Sequence, residues 1–244
     1  MSHLGIIVAV TAEARSLTRE PIPRGEPIRL PDGTVLNVSG MGPRRAAVAS
    51  RALLEKGARA LLSWGSAGGL VPKLSPGSLI LPKTVIGSNQ FLYHVDATWH
   101  ESLCKRLIGH VDFQTEPVVE STTVVRTPAE KVILFRKTGA IGVDMESASV
   151  AAVAQEAGVP FMAVRAVADS TDKTIPDFAL NAVDEFGRLS FLKLIQGLAE
   201  YPTELFALVR IARNYRAAQR TLAAVARLAG NNLLVPQDAT QERA

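Results

Sequence analysis

The stretch I-G-V-D-M-E-S-A-S-V-A-A-V-A-Q-E-A-G-V-P-F-M-A-V-R-A-V-A-D (141–169) decides the fold class. Ile141–Asp144 reads as a short buried strand, Met145–Ala157 as a helix, and Gly158 as its stop. Pro160–Ala168 is then a continuous apolar strand that ends at Asp169. Strand, helix and strand at this spacing imply a crossover unit, and such units build a parallel core sheet covered by helices on both faces.

The same alternation extends outward. Toward the amino terminus, Gly5–Val10 reads as a buried strand and Ala12–Thr18 as a short helix. Pro21, Pro23, Gly25, Pro27 and Pro31 punctuate a loop or hairpin before the strand Thr34–Val38. Arg44–Lys56 has apolar spacing of three and four and is stopped by Gly57. Ala60–Trp64 is the next strand, and it runs into a glycine-rich loop, Gly65-Ser66-Ala67-Gly68-Gly69. Thr127-Pro128-Ala129-Glu130 carries an N-cap threonine, proline at the first helical position and a glutamate placed for a capping box; that helix ends at Gly139. The expected fold is α/β: a single three-layer domain over residues 1–200 with a mixed, largely parallel central sheet. Residues 201–244 are expected to form a helical extension. Within them Thr203–Gly230 reads as one long helix with Leu205, Leu208, Val209, Leu222, Val225 and Leu228 on its apolar side, appended to a core that is complete near residue 200. Gln237–Ala244 is polar and expected to fray.

Composition narrows the function classes. Of 244 residues, 47% are hydrophobic and 20% charged, as in a soluble globular protein with a sizeable core. Cys104 is the only cysteine, which excludes an intramolecular disulfide and a cysteine-cluster metal site, and makes a reducing cytosol the default compartment. Gly5–Val10 has no basic region before it, so no signal peptide is read, and no run reaches the roughly 18 apolar residues of a membrane span. The net charge of +4 is concentrated. Between Thr203 and Gly230 lie five arginines and one acid, Glu204, while the remainder is balanced; a nucleic-acid groove across the body is therefore not expected. The basic helix is either a solvated or subunit-contacting face or an amphipathic element resting on anionic lipid.

Ligands in open α/β sheets bind beyond the carboxyl ends of the strands. Three predicted strands end in residues suited to chemistry: Thr11-Ala12-Glu13, the Gly65–Gly69 loop, and Arg165 to Asp169. Asp144-Met145-Glu146 adds a carboxylate at a helix start. Taken singly, Glu13 and Glu146 are explained as acids favoured at helix amino termini, the glycines as a tight turn, and Asp169 as a cap. Their coincidence at strand exits points to a site.

The order and wording of G-I-I-V-A-V-T-A-E (5–13), S-G-M-G (39–42), G-S-A-G-G-L (65–70), V-D-M-E-S (143–147) and V-R-A-V-A-D-S (164–170) resemble the nucleoside phosphorylase and nucleosidase superfamily, specifically its methylthioadenosine/S-adenosylhomocysteine nucleosidase branch. The D-M-E-S wording, the stretch D-S-T-D-K-T-I-P (169–176) and the arginine-rich helix resemble most closely the hopanoid-associated phosphorylase subgroup. The resemblance implies cleavage of the N-glycosidic bond of a purine nucleoside. It implies release of adenine from a 5′-substituted adenosine such as adenosylhopane. The alternatives are a nucleosidase for soluble methylthioadenosine and S-adenosylhomocysteine, or a non-catalytic nucleoside-binding or membrane-scaffold protein.

Carried over residue by residue, the resemblance implies that Asp169 protonates the leaving purine. Glu146 would accept the ribose hydroxyls, with Met145 under the sugar. Glu13 would activate water, helped by Ser66 and Arg165, while Ala67 and Gly68 let the backbone approach sugar and base. An oxocarbenium-like transition state gains from negative charge near the ribose. Two departures stand out: Ala168 replaces a serine common before the acid, and Val125 falls near an aromatic position that sandwiches adenine. No cofactor is implied; inorganic phosphate is the alternative co-substrate. Related phosphorylases carry an arginine where this chain has Ser63, which favours water, although Arg15, Arg44, Arg45 and Arg165 are candidate phosphate ligands. A homo-oligomer, in the first place a dimer, is expected, as is a cytoplasmic protein in peripheral contact with the inner membrane face.

Overall fold

The computed structural model describes residues 4–188, 190, 196, 200, 201, 204–230 and 232–236. The first strand β1 (Leu4–Val8) leads into a single helical turn, α1 (Thr11–Ala14). β2 (Ile28–Arg29) and β3 (Val35–Val38) follow, then α2 (Pro43–Glu55). The central strand β4 (Ala60–Gly69) has ten residues. Between it and the next long helix lie short elements that the apolar pattern does not announce. They are β5 (Leu79–Ile80), β6 (Thr84–Ile86), β7 (Leu92–His94), α3 (Ala97–Leu107), β8 (Phe113–Gln114) and β9 (Val118–Glu120). The remainder comprises α4 (Pro128–Thr138), β10 (Gly142–Asp144), α5 (Ser147–Ala157), β11 (Phe161–Asp169), α6 (Asp177–Asn181) and α7 (Leu205–Ala229).

Local signals act where they are read. Thr127 accepts the Glu130 amide at 3.2 Å, and Glu130 accepts the amides of Thr127 and Arg126 at 3.2 and 2.7 Å, a complete capping box. Gly139 and Gly158 end α4 and α5 in the left-handed conformation. α5 starts two residues later than expected, which puts Glu146 at its cap position.

The eleven described strands form one mixed sheet in the order β2-β3-β1-β4-β10-β9-β6-β7, with β11 pairing β4 and β5, and β5 pairing β8. β3, β1, β4 and β11 are mutually parallel. The opening stretch does not form an adjacent parallel crossover: β11 joins β4 in parallel, whereas β10 joins the end of β4 antiparallel, through Val143 opposite Gly68 and Gly142 opposite Gly69. The apolar periodicity that identifies these strands carries no information on their direction.

Two further corrections follow from β4. Gly65–Gly69 is strand rather than loop, because β11 continues to pair with it past Trp64. On its other edge, β1 stops pairing at Ser63 and β10 starts at Gly68. The intervening edge is therefore open to side chains.

The long helix is not an appendage. Ala218, Leu222, Val225 and Ala229 of α7 belong to the main apolar core with Ile6, Leu62 and Val164, and α7 packs against β11. The core is thus incomplete at residue 200. Of the expected apolar side, Leu222 and Val225 are buried and Leu228 packs against the core, but Leu205 and Val209 are exposed. Three alanines, Ala207, Ala218 and Ala229, complete the buried face and admit close approach to the sheet. Among the described residues no helix is long and apolar enough to cross a membrane. The polar tail Gln237–Ala244 and the proposed helix start at Thr203 lie outside the described residues.

Candidate functional site

The open edge of β4 receives Glu13. As the third residue after its cap, Glu13 reaches back with Oε2 to the amides of Ala9 and Val10 at 3.2 and 3.3 Å. Its Oε1 accepts from the Ser66 amide at 2.8 Å and the Ser66 hydroxyl at 2.7 Å. The fit requires Gly65, since a Cβ there would stand 2.8 Å from Oε1. Burial raises the carboxyl's pKa above its ordinary value, against the pull of the Ser66 hydrogen bonds and of the Arg165 charge. A held, desolvated carboxylate with a raised pKa suits a general base.

Arg165, on β11, is fully buried beside this pair. It donates from Nε to Asp144 at 2.5 Å, from Nη2 to the Ser63 hydroxyl at 2.6 Å, and from Nη1 to the Val164 carbonyl at 3.3 Å. Asp144 also accepts the Ser147 hydroxyl and the amides of Glu146 and Ser147, at 3.2 and 3.1 Å. Asp144 thus joins the buried arginine to the start of α5.

Glu146 accepts the Gly42 amide at 2.8 Å and its neighbour Met145's amide at 3.3 Å. Burial, then the Asp144 charge, push its carboxyl well above the usual range, and Arg165 opposes them. Met145 lines a cavity of about 640 Å³ with Asn37, Met41, Arg44, Arg45 and Val48. The Glu185 carbonyl accepts from the Met41 amide at 2.7 Å and the Phe186 carbonyl from the Thr11 amide at 3.4 Å, which ties residues 185–186 to the loops after β1 and β3.

Asp169 lies across β4. The register of β11 shifts between Val167 and Asp169, leaving Ala168 unpaired and Asp169 opposite Gly68. This bulge re-aims the carboxyl, whose Oδ2 would stand 3.9 Å from a Cβ at Gly68. Asp169 accepts from the ammonium of Lys131 on α4, which also donates to the Ser170 carbonyl at 2.5 Å. Burial raises the Asp169 pKa, and the contact with Lys131 opposes the rise.

The structure brings Glu13, Ser66, Met145 and Glu146 together at the open edge of β4, with the Arg165 side chain reaching toward them from β11, and sets Asp169 on the β11 edge opposite Gly68. Val125 packs against a small apolar cluster that includes Val143, the neighbour of Gly68. Of the candidate anion ligands, Arg165 is engaged with Asp144 and Ser63, and Arg45 pairs with Glu185 at 3.5 Å.

Four residues escape the sequence reading. Lys131 is fully buried in a helix whose neighbours Val132 and Ile133 are exposed; that inverted polarity is the one signal available in the sequence. Glu120 on β9 accepts the amide and hydroxyl of Ser149, and burial pushes its pKa up to about 7. Asp144 has no signal beyond its place in V-D-M-E. Tyr215 of α7 comes near enough to Glu13 that the carboxylate's charge adds to burial in raising the phenol's pKa.

Comparison with known proteins agrees with this fold. A 5′-methylthioadenosine/S-adenosylhomocysteine nucleosidase of Buchnera aphidicola subsp. Baizongia pistaciae is 26% identical over 171 residues, 62% of this chain. The chain spans 65% of the length of that relative. Two solved structures share the fold. The futalosine hydrolase of Helicobacter pylori strain 26695 has a TM-score of 0.69 at 17% identity, covering 92% of this chain and 95% of that one. The Neisseria meningitidis 5′-methylthioadenosine/S-adenosylhomocysteine nucleosidase in complex with methylthio-immucillin-A has a TM-score of 0.68 at 18% identity, covering 91% and 95%. The family model for the phosphorylase superfamily matches residues 30–196, and with more than half its length so matched this chain belongs to that superfamily.

Proposed function

We propose that the protein releases adenine from a 5′-substituted adenosine by hydrolysis of the N-glycosidic bond. The observation that carries this reading is the placement of two buried carboxylates on one side of the end of β4 and a third, partly accessible, on the other. Water attacks C1′ while Glu13 accepts its proton. The bond from C1′ to N9 breaks, and Asp169 delivers a proton to N7 of the departing purine. Water's hydroxyl stays on C1′, so the products are adenine and the free 5-substituted ribose. Glu146 accepts hydrogen bonds from the ribose hydroxyls, and the negative charge of ionised Glu13 stabilises the cationic ribosyl transition state as it forms.

Water is preferred to phosphate because Ser63, where related phosphorylases carry an arginine, is occupied by the guanidinium of Arg165. The cavity running from Met145 along α2 to Val48 supports a bulky 5′ substituent, as in adenosylhopane. The similar Buchnera nucleosidase supports a second reading, soluble methylthioadenosine and S-adenosylhomocysteine as substrates. The protein is read as a cytoplasmic dimer that requires no cofactor.

Incubation with a panel of 5′-substituted adenosines, with and without phosphate, tests both readings by following adenine and the sugar product. Free sugar in either buffer is expected. Ribose 1-phosphate as the main product would overturn hydrolysis, and no base release from any member would overturn the enzyme reading. Comparable turnover of methylthioadenosine and longer-chain substrates would remove the preference for a bulky substituent.

A further inference from the structure

The turn of α7 that the sequence pattern assigns to the core is instead exposed. Phe206 is 81% accessible, Leu205 50% and Val209 51%. On a helical wheel these three share one side with Arg213, Arg216, Arg220 and Arg227, all exposed, while Ala207, Ala218, Leu222, Val225 and Ala229 occupy the opposite, buried side. The solvent face therefore has an apolar leading end followed by four arginines. Between Leu205 and Ala229 there is no acid, although Glu204 immediately precedes the helix. Tyr201, 56% exposed and stacked on Phe178 with ring centroids 6.4 Å apart, extends the apolar end. Arg210 turns away from this face and donates to the Thr174 carbonyl at 3.3 Å.

We propose that this face of α7 is a docking surface for an anionic lipid membrane. A purely solvated helix face gains nothing from an exposed phenylalanine beside leucine, valine and tyrosine, and contiguous apolar patches of this kind mark interaction sites. A protein partner would need an acidic surface matched to a stripe about 20 Å long, as the helical rise from Arg213 to Arg227 requires. An anionic bilayer offers that charge at every position and an apolar layer just beneath it. Arginines settle among the phosphates while Phe206, Leu205 and Val209 enter the headgroup boundary. The buried alanine face fixes the helix to the sheet, so the docking side is presented rigidly. Because the readout is binding rather than turnover, the proposal stands or falls separately from the substrate assignment.

Co-sedimentation with vesicles of phosphatidylcholine, with and without phosphatidylglycerol, tests it on the full chain. The wild type is expected to pellet with the phosphatidylglycerol vesicles at low salt, to be released as salt rises, and to ignore phosphatidylcholine alone. The combined variant R213Q/R216Q/R220Q/R227Q should bind the anionic vesicles on the order of 10²–10³-fold more weakly, since each basic residue near such a surface contributes about a factor of five. F206S/V209S, which keeps every charge, should lose roughly tenfold or more. All six positions are exposed, so melting temperature and turnover of a soluble adenosine should stay at wild-type values. Wild type that remains in solution with anionic vesicles at low salt would overturn the proposal. So would variants that bind vesicles normally but change the oligomeric mass in light scattering, which would assign the face to a second copy of the chain.

Discussion

On one side of the end of β4, Glu13 and Glu146 are held by main-chain amides: Ala9, Val10 and Ser66 for the first, Gly42 and Met145 for the second. On the other, Asp169 is held by a side chain, the buried ammonium of Lys131. Both kinds of donor lower the pKa that burial raises; amides tied into strands and helix starts also fix a carboxylate's position, while an ammonium adds a full counter-charge. The side proposed to bind ribose and water is thus geometrically fixed, with Arg165 as its shared counter-charge. The side proposed to protonate the base is poised, because burial raises the Asp169 pKa and Lys131 lowers it. A base needs one orientation; an acid needs a proton held near its release point.

Four substitutions test that contrast. Asp169→Asn removes the transferable proton while leaving the fold intact. Adenine release should fall on the order of 10²–10⁴-fold, about 3–5 kcal/mol of barrier. Retention of more than about a third of the activity would remove Asp169 from the reaction.

On the fixed side the expected loss is of stability. Arg165→Met leaves Asp144, Glu13 and Glu146 buried without their cation, and unfolding in urea should show a loss of about 3–5 kcal/mol. A loss under about 1 kcal/mol would mean that the main-chain amides alone carry those charges.

Lys131→Met should act on the pH profile. With the ammonium gone, only the weaker pull of Arg210 opposes burial, and the Asp169 pKa rises further. In the proposed mechanism the protonated form is the active one, so the alkaline fall of kcat/KM should move to higher pH. A merely structural lysine would lower the rate equally at every pH, and an unmoved limb with a uniformly reduced rate would show that.

The smallest effect concerns Glu120, which accepts from a main-chain amide as Glu13 does but, among the described residues, forms no ion pair. Its pKa rises from 4.5 to about 7 on folding. The folded state therefore holds the proton more tightly than the unfolded chain between those values. The resulting stability is present at low pH and is lost as pH rises through about 7, by at most about 3 kcal/mol. Glu120→Gln should flatten the change in urea midpoint between pH 5 and pH 8; an unaltered change would show that Glu120 does not titrate in that range.

Much of this was legible in the chain. The capping box at Thr127, the stops at Gly139 and Gly158 and the strands around residues 5, 62 and 164 depend on contacts within a few residues, which periodicity and turn chemistry record. The short strands between Leu79 and Glu120 were not, because segments of two or three residues have no period to detect. Lys131 was hidden because a lysine in a helix reads as solvated until another element is known to cover it. The helix at Leu205–Ala229 was legible as a helix, and Leu222 and Val225 as part of its buried side; its exposed first turn was not, because Leu205 and Val209 advertise a core face more loudly than Ala207 and Ala218 do.

By itself, then, the sequence determined the α/β class, the identity of most long elements and the carboxylates at their ends, all consequences of local spacing and residue chemistry. Tertiary structure alone decided that β10 runs against β4, that Arg165 serves three carboxylates, that Lys131 meets Asp169, and that α7 turns its alanines inward and its arginines out. Those outcomes depend on which distant surfaces meet and how closely they can approach, a matter of packing over the whole chain that no window of neighbouring residues contains.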